Sequence, residues 1–289
     1  MKTVCSINFQ IQDENNARIP LMDRGFLYGD SIYEAVRTYN GKLFLFDEHF
    51  KRLLRSAQLM KLPLNFEKQD LKSHIEDLLK GVDYESYIRI IITRGEDSVF
   101  DLFPGRKMKP MVSVVIKPIH TYPDEFFKKG IKLCIVSVKR NPKAALDPEI
   151  KSGNYLNNVL AIMEAKEKGF NDALMVNEEN NITESTTSNF FIVKDGTVIT
   201  LGFEVGILHG ITRQFLMAVM RENKISYREA SIKPRDVYSA DECFVTATTK
   251  EVMPVRQIDD NIIGKGEVGP MTSKLMELYR KAALKRIEP

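Results

Sequence analysis

The sequence predicts an α+β chain with two lobes, and three observations carry that prediction. Strand-like and helical segments occur in both halves without the regular βαβ alternation of a parallel sheet. The segment Pro118-Ile119-His120-Thr121-Tyr122-Pro123-Asp124 places two prolines after a strand pattern and reads as a linker, with lobes at residues 1–120 and 121–289. The length of 289 residues suits one large domain or two modest ones.

In the first half, residues 4–11, 33–39, 42–46, 86–93 and 111–117 are β-rich or alternate in polarity. Asp47 can cap a helix reaching residue 60, with Phe50, Leu53, Leu54 and Ala57 along one face. A second helical pattern covers residues 67–79, with Leu71, Ile75, Leu78 and Leu79 as its stripe. The second half opens with a strand at 131–138 and a turn-rich stretch at 139–148. A helix at 156–168 then ends at Gly169, a good C-terminal cap. Strands are expected at 172–176, 189–193, 198–201, 242–246 and 252–258, with helices at 208–222 and 271–286.

Composition removes several classes. Hydrophobic residues make up 43% and charged residues 28%, as in ordinary globular proteins. A formal net charge of +3 gives no electrostatic case for a nucleic-acid partner. Cys5, Cys134 and Cys243 form no CxxC pair and read as buried thiols in a reducing compartment. The first residues lack a signal-like apolar stretch, and no run of about 18 apolar residues suggests a membrane span. A cytoplasmic protein is expected.

Some motifs fail on context. The GxGxxG match at residues 264–269 follows a polar turn and lies close to the C-terminus, so it reads as a loop and not as a dinucleotide fingerprint. His49, His74, His120 and His209 show no HExxH or paired spacing, which argues against a metal centre. No GxSxG nucleophile elbow occurs.

Four segments converge instead. Lys151 follows a proline turn and stands beside Gly153, which allows close backbone approach; Asn154, Tyr155, Asn157 and Asn158 add hydrogen-bonding groups. A lysine there could form a Schiff base if burial lowered its pKa. The run Glu184-Ser185-Thr186-Thr187-Ser188-Asn189 sets a carboxylate and several hydroxyls before an apolar strand, suited to a polar ring or a phosphate. Gly206 to Arg213 opens a helix whose free amides make a natural anion site. Thr246-Ala247-Thr248-Thr249 ends a strand in hydroxyls.

Together these residues resemble the class IV aminotransferases, pyridoxal-phosphate enzymes of fold type IV. That group includes branched-chain and D-amino-acid aminotransferases and aminodeoxychorismate lyases. Glu184, Thr186, Asn189, Phe190, Phe191, Val198, Thr200, Leu208, Gly210, Ile211 and Arg213 fill its pattern, with Lys151 lying 33 positions before Glu184. The likeness extends upstream to Tyr28-Gly29-Asp30-Ser31-Ile32-Tyr33-Glu34 and His49-Phe50-Lys51-Arg52-Leu53.

The resemblance implies a smaller N-terminal α/β lobe and a larger C-terminal pseudo-barrel lobe that binds the cofactor and carries the lysine. It also implies a homodimer acting on small amino acids and 2-oxo acids. Lys151 would hold the cofactor as an internal aldimine and shuttle the proton between Cα and C4′. Glu184 would pair with the pyridine nitrogen, keeping the ring an electron acceptor. Arg52 would clamp the phosphate as a charged fork, joined by the amides of Ile211 and Thr212 and by Thr248. Tyr155 would approach the phenolic oxygen, although branched-chain enzymes place that tyrosine one residue further on.

Tyr28, Tyr33, Arg37, Tyr87, Arg89 and Thr249 are assigned to the substrate side. Arg89, in Tyr87-Ile88-Arg89, resembles the branched-chain arginine that meets the side-chain carboxylate of glutamate. Val99 and Asp101 stand where D-amino-acid enzymes carry an Arg-x-His trap, which disfavours D-alanine. The leading expectation is an L-branched-chain-type aminotransferase using 2-oxoglutarate in a ping-pong cycle. A pyruvate-releasing aminodeoxychorismate lyase, a D-amino-acid aminotransferase and a non-catalytic pyridoxal-phosphate-binding protein remain as alternatives.

Overall fold

In the computed structural model, which describes residues 3–104 and 108–287, the chain opens with a tight hairpin. β1 (Val4–Ile7) and β2 (Gln10–Gln12) pair antiparallel across Asn8 and Phe9. Both turn residues have positive φ, 51° and 64°, the pattern whose twist matches paired strands. The single strand expected over 4–11 is therefore two strands.

A short helix α1 (Arg24–Tyr28) leads into β3 (Ser31–Tyr39) and β4 (Lys42–Leu43). Helices α2 (Phe46–Leu59) and α3 (Lys68–Leu79) follow, then β5 (Ser86–Thr93) and β6 (Met111–Pro118). The six strands form one antiparallel sheet in the order β2-β1-β6-β5-β3-β4. Leu45 adopts a left-handed conformation, φ 54°, which stops β4 short of residue 46 and starts α2 there. Asp47 consequently sits in the first turn, favourable against the helix dipole, and does not cap the helix. In α3, Glu67 and Asp70 form a reciprocal capping box. Ile32 and Val36 of β3, Ile88, Ile90 and Ile92 of β5 and Val112 and Val114 of β6 pack against Phe50 and Leu53 of α2 and Leu71 and Ile75 of α3.

Because β4 reaches only Thr38 and Tyr39, the first half of β3 has an open edge. Residues Ile150–Asn154 fill it. Tyr33 N–H donates to Lys151 O at 2.9 Å, Gly153 N–H donates to Ser31 O at 2.8 Å, and Ile32 bridges Ser152. A Cβ on residue 153 would lie 2.2 Å from Ser31 Oγ, so this approach needs glycine. The first of two units thus runs to His120 and adds Ile150–Asn154 and Ile287; the second is Thr121–Glu149 with Tyr155–Arg286. Lys151, expected on the C-terminal lobe, belongs by contact to the N-terminal one.

The second unit contains α4 (Asp124–Lys129), β7 (Ile131–Ile135), α5 (Leu156–Glu167), β8 (Asp172–Val176), β9 (Ile182–Ser185), β10 (Asn189–Lys194) and β11 (Thr197–Thr200). It continues with α6 (Ile211–Glu222), β12 (Tyr227–Glu229), α7 (Pro234–Tyr238), β13 (Glu242–Ala247), β14 (Glu251–Ile258), β15 (Asn261–Ile262) and all but the last residue of α8 (Pro270–Ile287). The strands run β12-β11-β10-β13-β14-β7-β8-β9, and β9 pairs back onto β10. That contact, Glu184 opposite Asn189, closes a barrel-like ring. The ring is filled by Leu133, Val176, Ile182, Phe190, Ile192, Val245 and Met253, among others. Residues 264–269 form a turn-rich loop, and Glu242 accepts from Met271 N at 2.9 Å and Thr272 N at 2.7 Å. The amides that open α8 are thereby capped by a carboxylate, which leaves no phosphate site there.

Candidate active site

In the first unit, the backbone of the 150–154 strap aims Lys151 at Tyr33. Lys151 N–H donates to Ser56 Oγ at 3.1 Å, and Nζ donates to Tyr33 Oη at 3.3 Å. The ammonium also lies 4.4 Å from the Tyr33 ring centroid, and the Arg89 guanidinium lies 4.2 Å from the same centroid. Register explains the grouping. Arg37 is opposite Tyr87 and Ala35 is opposite Arg89, so Tyr33, Arg37, Tyr87 and Arg89 share one face of the β3–β5 pair. Arg37 lies 3.9 Å over the Tyr39 ring, and Tyr28 packs under Arg24 at the end of α1.

The opposite face of β3 holds a buried cluster. Glu34 stands between Ile32 and Val36 on the core side and is 1% exposed. Arg52 of α2 meets it as a fork, Nε to Oε1 and Nη2 to Oε2, both at 2.7 Å. His49 Nδ1 lies 2.7 Å from Oε2. Burial alone would push the Glu34 carboxyl up; Arg52 and His49 outweigh it and hold it well below the usual carboxylate range. For His49, burial lowers the pKa from its ordinary 6.5, Glu34 opposes, and Arg52 and Lys151 add to the lowering. A neutral His49 donates its Nδ1–H to Glu34. Sequence reasoning missed this role for Glu34; the signal that could have found it is a lone carboxylate on an otherwise apolar strand face.

In the second unit, Glu184 sits where β9 closes onto β10 and is 5% exposed. Arg140 donates to its Oε1 from Nε at 3.1 Å and from Nη2 at 2.9 Å. Oε2 accepts from Asn189 Nδ2 and from Leu208 N, each at 3.2 Å. Arg140 is invisible to sequence reasoning: it lies in a turn-rich stretch 44 positions from its partner.

Leu208 is held outside α6, so the helix starts at Ile211 and not at 208. Gly210 is the cap residue and supplies no side-chain acceptor, leaving the amides of Ile211 and Thr212 at an uncapped helix end. A Cβ at 210 would lie 1.8 Å from Asn189 Oδ1, so glycine is required. Thr248 and Thr249 form the turn between β13 and β14, with Thr249 Oγ1 3.5 Å from Tyr122 Oη. Tyr155 caps α5. A buried carboxylate for a ring nitrogen and an uncapped helix end for an anion fit a phosphorylated pyridine.

The fold and this donor set define a class, and sequence comparison agrees with it: residues 31–258 match the model of the amino-transferase class IV family, and the chain belongs to that family. It is 34% identical over 275 residues to a candidate branched-chain-amino-acid aminotransferase of Methanocaldococcus jannaschii, covering 95% of this chain and 94% of the relative. A D-alanine aminotransferase of Staphylococcus haemolyticus is 35% identical over 276 residues, covering 95% of this chain and 96% of the relative. The structure of the T.th. branched-chain amino acid aminotransferase with pyridoxamine 5′-phosphate superposes with a TM-score of 0.92 at 29% identity, covering 98% of this chain and 94% of that one. The chain is a class IV aminotransferase with the fold of the branched-chain enzymes.

Proposed function

We propose that this aminotransferase uses pyridoxal 5′-phosphate to move the amino group of a branched-chain-type L-amino acid to 2-oxoglutarate in a ping-pong cycle. The observation that carries the reading is the placement of Lys151 Nζ and Arg89 against the single ring of Tyr33. Bound pyridoxal phosphate supplies the carbonyl that captures the amino group and the ring that accepts electrons from Cα. Lys151 would be the covalent anchor, and its Nζ would be the base that moves the Cα proton. Tyr33 Oη fixes where that amine rests. Glu184, oriented by Arg140 and Asn189, accepts from the pyridine nitrogen. Arg52, oriented by Glu34 in the first unit, is assigned to the phosphate, and in the second unit the amides of Ile211 and Thr212 and the Thr248 hydroxyl are assigned to it as well. Tyr155 approaches the phenolic oxygen.

On the substrate side, Tyr28, Tyr33 and Tyr87 supply aromatic walls for an apolar side chain. Arg89 receives the side-chain carboxylate of glutamate, with Arg37 on the same strand face and Thr249 at the α-carboxylate. Val99 is 57% exposed, and neither Val99 nor Asp101 is the arginine or histidine of the D-amino-acid carboxylate trap, which speaks against a D-alanine enzyme. A homodimer is supported by the apolar side chains that α5 leaves exposed, Leu156, Val159, Leu160 and Met163. A cytoplasmic location goes with three buried free thiols.

The test is a panel of L-leucine, L-isoleucine, L-valine, D-alanine and aminodeoxychorismate, with 2-oxoglutarate as acceptor where transfer is assayed. Transfer from the branched L-amino acids is expected, with a yellow holoenzyme whose colour Lys151→Ala abolishes. Turnover of D-alanine alone, or pyruvate release from aminodeoxychorismate alone, would overturn the substrate assignment. A colourless protein that never takes up the cofactor would overturn the whole reading.

A further inference from the structure

We propose that Lys250 is a positioning residue that locks the turn at residues 248–250 to the hydroxyl-rich turn at residues 186–188, holding Thr248 and Thr249 ready for the cofactor phosphate and the substrate carboxylate. The inference rests on the roles given above to those two threonines.

Lys250 is 7% exposed, unusual for a lysine in a strand-to-strand turn. An ammonium at that depth is costly unless each of its donors is used. It has three donors, and three acceptors surround it: Asp172 Oδ2 at 2.8 Å, Ser188 Oγ at 2.9 Å and Thr187 Oγ1 at 3.2 Å. Two of those acceptors lie on the 186–188 turn, and the third grips the same turn from β8. Asp172 Oδ1 accepts from Thr186 Oγ1 at 2.5 Å, and Asn158 Nδ2 donates to Thr186 O at 2.7 Å. Among these groups the lysine alone belongs to the 248–250 turn, and it reaches across to two hydroxyls of the other turn and to the carboxylate that holds Thr186.

Local geometry shows why such a hold is useful. Lys250 N–H closes the turn on Ala247 O at 3.2 Å. The next residue, Glu251, has φ 54°, a left-handed conformation that costs a non-glycine residue and persists only where surrounding contacts over-determine it. With the lysine head anchored, the backbone on either side has one arrangement. Without it, Thr248 and Thr249 sit on a turn that leads straight into the left-handed Glu251 and loses its side-chain tie to the 186–188 turn.

The experiment compares wild type with Lys250→Met, Lys250→Arg, Ser188→Ala and the charge-neutral pair Lys250→Met/Asp172→Asn. The pair guards against a buried, unpaired Asp172 unfolding the single variant. Cofactor-free protein is titrated with pyridoxal phosphate and read by the visible absorbance of the bound form; steady-state kinetics follow on the saturated enzyme. In the pair we expect the cofactor Kd and the amino-acid KM each to rise about tenfold, the scale of one or two lost oriented hydrogen bonds, with kcat changed far less. Lys250→Arg should recover part of the affinity, and Ser188→Ala, which keeps the ion pair, should shift Kd in the same direction by less. A folded pair variant, or a Ser188→Ala variant, with wild-type Kd and KM would overturn the proposal. A wild-type chain that takes up no cofactor would instead overturn the functional reading, and this inference with it.

Discussion

Arg140 exists to serve Glu184. The carboxylate is almost fully buried, and Nε and Nη2 of one guanidinium both land on its Oε1. Breaking a buried pair by removing one partner strands the other, typically at about 3–5 kcal/mol. Arg140→Met is therefore expected to lower unfolding stability by about that much in urea titration and to weaken cofactor uptake; an unchanged midpoint would show that Arg140 contributes nothing there. Gly210 makes a second residue-scale case. A methyl at that position would collide with Asn189 Oδ1 while the same amide donates to Glu184 and to Leu208 O, at 3.0 Å in the latter case. Gly210→Ala should cost about 1–3 kcal/mol, the usual range for overpacking, and raise the cofactor Kd without altering the long-wavelength band of what does bind. A Kd equal to wild type would contradict it. These residues also show what a sequence exposes. Lys151, Glu184 and Gly210 stand in short local patterns and could be read directly. Arg140, Glu34 and Lys250 act through partners 44, 18 and 78 positions away; only Glu34 carries a local sign, a carboxylate on an apolar strand face, and even that does not name its partner.

The same contrast governs the elements. Strand β5 was legible to the residue because it is rich in isoleucine and its buried positions alternate along Ser86–Thr93, with Ile88, Ile90 and Ile92 packed under the helices. Strand β9 was not, since Ile182-Thr183-Glu184-Ser185 looks like a polar turn; it is a strand because Thr183 and Glu184 find buried partners and because β8 and β10 need an edge between them. Helix α5 was placed correctly, but its apolar residues lie all round it, so the sequence left open which face is covered. Ala161 and Ala165 pack on Cys134, Val136, Ala173 and Met175, while Leu156, Val159, Leu160 and Met163 lie at helical spacing on the uncovered side. An apolar stripe of that kind marks an interaction surface. Leu160→Glu with Met163→Glu should convert the proposed dimer into monomers in sedimentation velocity with little change in the fold of the chain, because both side chains are exposed. Retention of the dimer by the double variant would place the interface elsewhere.

At the scale of the whole molecule, both units carry acids and bases whose folded-state affinities for protons are depressed, and these set an acid limit. In the first unit, Glu34 lies well below its ordinary 4.5 because Arg52 and His49 outweigh the effect of burial. In the second, Asp172 is lowered from 3.8 by Lys250 and Thr186 against burial, and Glu164 falls to about 2 because its bonds to Lys168 and Ser137 overcome burial. A folded state that binds a proton less readily than the unfolded chain loses stability as pH falls, since the unfolded chain takes up more protons in that window. The carboxylate contributions are thus complete above 4.5 and are lost as pH drops through the depressed values, to about 2 for Glu164. His49 has the same sign with an earlier onset: its neutral form is favoured by burial, so the loss begins as pH falls below 6.5. Alkali reverses the direction. Burial raises Cys134 from 9.0 to about 11, and burial with Asp259 raises Tyr238 from 10.0 to about 12, so their contributions hold below those ordinary values and fade above them. The melting temperature should therefore be level between 6.5 and 9.0, decline gently below 6.5 and fall steeply below 4.5. Scanning calorimetry across that range checks the profile, and His49→Gln separates its parts: the gentle decline should vanish while the steep one stays. A steep fall that moved with the histidine would mean that the Glu34 and Asp172 ion pairs do not set the acid limit.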